Sequence, residues 1–116
     1  MAYVDGFVVP VRNDRREDYR ELATEAAAVF RDAGALEVVE AWGDDVPPGE
    51  VTSFPMAVKL DPDETVVFSW IVWPSREARD AGNEKVMADP RMQPPDDLPF
   101  NPQRMIYGGF EQIVTA

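Results

Sequence analysis

The chain has 116 residues, 45% of them hydrophobic, with a formal net charge of −11 and neither histidine nor cysteine. That length suits a single domain, residues 1–116, large enough to bury a core without staples and too short for a second one. The missing residue types exclude a disulfide framework, a thiolate nucleophile, a Cys/His zinc site, an axial histidine for haem and a Ser-His-Asp triad.

Tyr3 to Val9 is rich in β-branched and aromatic residues and runs into Pro10, which predicts a strand. Asp14 followed by Glu17 has the spacing of a capping box and predicts a helix start. Tyr19, Leu22, Ala23, Ala26, Val29, Phe30 and Ala33 then recur at helical spacing, and Gly34 is placed to end the helix. Ala35 to Trp42 reads as a second strand. Residues 43 to 63 carry the turn signals Asp44-Asp45, Pro47-Pro48-Gly49 and Asp61-Pro62, with a short extended piece expected over Met56 to Leu60.

Thr65 to Trp73 is an apolar run broken only by Ser69, the pattern of a strand at a sheet centre. Ser75 is a natural N-cap for a second helix reaching about Ala88, before Asp89-Pro90. A proline-rich loop covers residues 90 to 104, and Arg104 to Val114 supplies the last strand, loosened by Gly108-Gly109. That glycine pair marks a bulge or a close backbone approach. The order β-α-β-β-α-β predicts an α+β, ferredoxin-like fold. It is a four-stranded antiparallel sheet with the first and third strands central and two helices on one face.

Several blocks are similar to a known family. Tyr3-Val4-Asp5-Gly6-Phe7-Val8-Val9-Pro10, Gly43-Asp44-Asp45-Val46-Pro47-Pro48-Gly49 and Thr52-Ser53-Phe54-Pro55 resemble the family called domain of unknown function 1428. So do Val66-Val67-Phe68-Ser69-Trp70, Lys85-Val86-Met87-Ala88-Asp89-Pro90-Arg91-Met92 and Tyr107-Gly108-Gly109-Phe110. The resemblance covers essentially the whole chain. It implies a ferredoxin-like fold of the dimeric α/β-barrel kind and no established activity.

Strand alternation sorts the residues onto two faces. Val4, Gly6 and Val8, with Val67, Ser69 and Ile71 and with Ile106, Gly108 and Phe110, form a compact set expected beneath the helices. The other face would carry Tyr3, Asp5, Phe7 and Val9, then Val66, Phe68, Trp70 and Val72, then Val38, Glu40 and Trp42, then Met105, Tyr107 and Glu111. A face so aromatic marks a partner surface or a ligand cleft. Two copies stacked through it would form a homodimer with a pocket between the sheets. Ligand contacts would come from Tyr3, Phe7, Trp42, Phe68, Trp70, Tyr107 and Glu111. With no histidine, proton transfer would fall to carboxylates and tyrosines, for which Asp5, Glu40 and Tyr107 are the candidates.

No metal and no cofactor is expected, since no Asp/Glu spacing resembles a calcium loop. The negative charge disfavours nucleic acid, and the cluster Arg12, Arg15, Arg16 and Arg20 is interrupted by Asp14, Glu17 and Asp18. No apolar run approaches the roughly 20 residues that span a bilayer, so no membrane partner is expected. Met1 to Asp5 lacks a basic region, and a cytoplasmic location follows as the expectation. Three functions remain open at this point: a homodimeric small-molecule-binding or accessory module, a cofactor-independent monooxygenase- or isomerase-like enzyme, and a purely structural or interaction protein.

Overall fold

The computed structural model describes residues 2–116. Strand β1 (Tyr3–Arg12) leads through a 3-10 turn, Asn13–Arg15, into helix α1 (Arg16–Asp32). Strand β2 (Glu37–Trp42), the short helix α2 (Phe54–Ala57), strand β3 (Glu64–Trp73), helix α3 (Arg76–Ala88) and strand β4 (Ile106–Glu111) follow. The four strands form one antiparallel sheet in the order β2-β3-β1-β4, the predicted ferredoxin-like arrangement with β1 and β3 central. Among the described residues no helix is long and apolar enough to cross a membrane.

The helix ends show which local signals count. Gly34 ends α1 with φ +115°, a conformation that favours glycine, and its N–H donates to the Arg31 carbonyl at 3.1 Å. Ser75 caps α3, its Oγ accepting from Ala78 N at 3.1 Å. Asp14, by contrast, caps nothing. The chain turns as soon as β1 ends, with Asn13 N donating to the Asp63 carbonyl at 2.9 Å, so Asp14 lies inside the 3-10 turn and pairs with Arg12 at 2.8 Å. The piece expected to be extended over Met56 to Leu60 is also different. Ser53 Oγ accepts from Met56 N at 3.1 Å and starts the single turn of α2 there.

Which face the helices cover differs from the expectation for three strands of the four. The register aligns Tyr107, Phe7, Ser69 and Glu40 in one row across β4, β1, β3 and β2, and this row faces the helices. Thus Tyr3, Asp5, Phe7, Val9 and Val11 point to the helices together with Val67, Ser69, Ile71 and Trp73, while Val4, Gly6 and Val8 point away. The small-residue set looked better suited to helix packing. Aromatic rings in fact fill the wider space: Trp73 is fully buried, and Phe30 meets it edge-on at 6.2 Å. Gly82 is what lets α3 close on that indole, since a Cβ there would collide with the ring.

Two apolar clusters form this side of the core, one around Val9, Val11 and Val67 and the other around Ala35, Ile71 and Trp73. On the opposite side residues 43–63 fold back over one end of the sheet. Val58 and Leu60 pack on Val8 and Val66, and Phe54 meets Phe68 edge-on at 5.7 Å. Arg104 fastens this flap by a bidentate pair with Glu64, at 2.8 and 2.6 Å, and by bonds to the Val58 and Lys59 carbonyls. The rest of that face is uncovered, with Phe68 45% and Phe110 62% exposed.

Candidate functional site

A cavity of about 460 Å³ lies between the helix-facing side of the sheet, α1 and the proline-rich segment after α3. Its origin is visible in the residues. Helix α1 presents Ala23, Ala26 and Ala27 where larger side chains would reach the sheet, and Pro94, Pro95 and Leu98 hold the roof away from the floor. The segment is pinned at its far end by a bridge between Val11 and Phe100, and Tyr19 packs edge-on against Phe100 at 5.9 Å. Volumes of this order are those of small-molecule sites.

The floor carries one polar group with an unusual environment. Glu40 Oε1 accepts from the Tyr19 hydroxyl at 2.5 Å, and Oε2 accepts from the Ser69 hydroxyl at 2.8 Å. Among the described residues no lysine or arginine forms an ion pair with it. The pocket is open to solvent, so water reaches Glu40 and leaves the residue exposed, while the surrounding protein atoms strip away much of its bulk hydration. That desolvation pushes the carboxyl above its ordinary range, and the two hydroxyl donors pull it only part of the way back. Desolvation, then the Glu40 charge, drives Tyr19 well above the usual phenol value, so Tyr19 stays a donor.

Asp5 has a contrasting setting on the neighbouring row. It is 7% exposed and accepts from Trp73 Nε1 at 3.0 Å and from Arg79 Nε at 3.1 Å. The Arg79 guanidinium also lies 5.0 Å from the centre of the Tyr3 ring. Gly109 gives this group room, because a Cβ there would strike both Tyr3 and Arg79. The glycine pair in β4 is therefore a close approach, and the register runs through it without interruption.

The sequence profile of the family described as "Protein of unknown function (DUF1428)" matches residues 2–102. The chain belongs to the DUF1428 family. Proteins named "Uncharacterized protein YbaA" from Escherichia coli strain K12 and from Shigella flexneri are each 56% identical to it over 115 residues. The alignments cover 98% of this chain and 98% of each relative.

In this DUF1428 domain the candidate residues do not gather at one point. Glu40 and Phe7 line the cavity. Tyr107 stands at the opposite end of the row from Glu40, three strand spacings or about 14 Å away, stacked on Phe7 and largely exposed. Tyr3 and Asp5 belong to the Arg79 cluster. Trp42 packs with Val11 and Val67 under the Arg16 guanidinium, 4.9 Å from its ring centre. Glu111 is exposed on edge strand β4 opposite Tyr3. Phe68 and Trp70 lie on the other side of the sheet, their rings 5.5 Å apart. No group of three or more acidic side chains that could hold a metal ion occurs among the described residues.

Tyr19 and Ser69 were the residues missed as site members. A signal existed for each: a tyrosine on the sheet-facing stripe of a helix needs a partner for its hydroxyl, and Ser69 is the one polar residue in the apolar run 66–73.

Proposed function

We propose that the protein binds a small, largely apolar molecule in the cavity beneath α1, with Glu40 as the group that orients it. The observation that carries this reading is the Glu40–Tyr19–Ser69 cluster set in the floor of an apolar cavity. With two hydroxyl partners and no cation, this carboxylate keeps acceptor capacity facing the cavity. The pocket anticipated between two paired sheets is thereby moved to the helix side of each protomer. Titration calorimetry with 4-phenylbutan-1-ol, a neutral apolar probe sized for the cavity, tests the reading on the full chain. Saturable binding that Ala26→Phe abolishes, with the circular dichroism unchanged, is the expected result. Absence of binding, or binding indifferent to Ala26→Phe, overturns it.

The uncovered sheet face favours a second element of the same reading, a homodimer. Gly6, Phe68, Trp70, Val72, Ile106 and Phe110 bring no charge to this surface, and Glu37, beside Val72, lies at its β2 edge, so two copies of a chain of charge −11 can meet there with little repulsion. A twofold dimer is also the commonest kind of closed assembly. Light scattering at micromolar concentration should give twice the chain mass, and Trp70→Glu should give the monomer. A monomeric wild type would remove the dimer and leave the cavity reading standing.

A further inference from the structure

We infer that the ligand of this cavity is an organic ammonium, a protonated amine on an apolar or aromatic body, with its N–H groups on the Glu40 carboxylate. The inference rests on the cavity reading above and names the ligand class for that same site.

Three observations converge on a cation. First, the two buried carboxylates among the described residues each hold an arginine, Asp5 pairing with Arg79 at 3.1 Å and Glu64 with Arg104 at 2.6 Å, whereas Glu40 is desolvated by the cavity wall but exposed through its mouth. Glu40 has only hydroxyl partners, so the place an arginine takes elsewhere is left to a ligand. Second, both nearby hydroxyls already donate to Glu40, and an ionised carboxylate offers about four acceptor positions. About two acceptor positions therefore remain for an incoming N–H. An anionic or purely accepting ligand would find no free donor on this floor. Third, Phe7, Tyr19, Phe30 and Phe100 line the same space. Aromatic faces attract ammonium groups while their hydrocarbon packs the body of the molecule.

The charged groups around the cavity point the same way. Helix α1 contributes Tyr19 and Glu25, β3 the neutral Ser69, and the segment after α3 contributes Arg91. Arg91 gives Nε and Nη2 to Asp89 and Asp32, two carboxylates against its one charge, so the rim carries no net positive charge; its Nη1 and the Gln93 amide are donors at the roof, away from the Glu40 floor. The net charge of −11 raises the local concentration of any cation.

Calorimetry with three probes of one shape decides the matter: 4-phenylbutylamine, 4-phenylbutan-1-ol and 4-phenylbutyrate, each titrated at pH 7.5. The amine should bind roughly tenfold more tightly than the alcohol, the difference between a charge-assisted and a neutral hydrogen bond, and the acid should bind weakest. Glu40→Gln should erase the preference for the amine over the alcohol. The preference should also shrink as the pH is lowered toward 4.5 and Glu40 takes up its proton, since the amine stays charged throughout. Equal binding of amine and alcohol, a preference that survives Glu40→Gln, or a flat pH profile overturns the ammonium assignment while the cavity reading stands. Failure of all three probes overturns the cavity reading itself. Should Glu40→Gln not fold, the wild-type ranking of the three probes decides alone.

Discussion

Asp5 and Glu40 project from the same side of one sheet, on adjacent rows, and both lie among aromatic rings. Their surroundings resolve the problem of a carboxylate inside a protein in opposite ways. Asp5 is closed off, bonded to Trp73 and paired with Arg79, in a region so tightly packed that Gly82 and Gly109 are needed to admit the rings beside them. Glu40 is desolvated yet reachable, with two hydroxyls in place of a cation and open space in front of it. One arrangement is complete as folded, and the other has acceptor capacity left over. The contrast separates a structural carboxylate from a candidate recognition group without any appeal to sequence motif.

The largest expected effect is on the Asp5 side. Arg79→Ala should destabilise the fold by about 3 kcal/mol in chemical denaturation, because it leaves a buried carboxylate without its cation. The value sits at the low end for such losses, since the Arg79 side chain is 21% exposed and water can partly replace it. Adding Asp5→Asn to that variant should recover part of the loss. A loss below about 1 kcal/mol would mean that Trp73 alone satisfies Asp5, and the two carboxylates would differ less than their contacts indicate.

Packing gives the next test. Gly82→Ala should cost about 1–3 kcal/mol even though alanine is the better helix former by about 1 kcal/mol. The added Cβ meets the Trp73 indole, and it would also lie 3.1 Å from the Ala33 carbonyl oxygen. A neutral result would show that α3 can retreat from the sheet, and the Asp5 region would then be as loose as the cavity.

Much of this architecture was legible in the sequence, and the parts that were not share a cause. Both main helices, the Ser75 cap and the Gly34 terminator followed from local pattern, because each is set by residues a few positions apart, and strand order followed from the β-α-β-β-α-β succession. The covered face of the sheet was not, because β1 carries apolar residues on both sides, Val4 and Val8 on one and Phe7 and Val9 on the other, and alternation carries no sign there. Val4, Gly6 and Val8 looked like the packing face until the aromatic rings of Phe30 and Trp73 were seen to fill the space under the helices. Asp14 carried a capping pattern that the tight exit from β1 overrode. Glu40 was a candidate from its position in β2, but its partners Tyr19 and Ser69 lie 21 and 29 residues away, and only the fold brings them within reach. Arg79 as the mate of Asp5 is a pairing over 74 residues, which no local pattern contains.

The smallest expected effect tests the Glu40 side directly. The folded state holds the Glu40 proton to a higher pH than the unfolded chain does, because burial raises the carboxyl above its ordinary value of 4.5. Between those two values the folded state binds more protons, so this group's contribution to stability falls as the pH rises and then stays level. Glu64 has the opposite sign: the Arg104 hydrogen bonds hold its carboxyl below the ordinary range, and its contribution is lost as the pH falls through that lowered value. Glu40→Gln should therefore be no less stable than the wild type at pH 7. Its gain should be less than about 1 kcal/mol, since the open mouth of the cavity leaves the carboxylate partly hydrated. The gain should fade toward pH 4, where the wild-type side chain is itself neutral. Thermal unfolding of the two proteins across pH 4 to 8 gives the difference curve, from which the acid-labile Glu64 contribution cancels. A substitution that costs stability at pH 7 would show that the Tyr19 and Ser69 bonds outweigh desolvation. Glu40 would then belong with Asp5, a structural group already satisfied and with nothing reserved for a ligand.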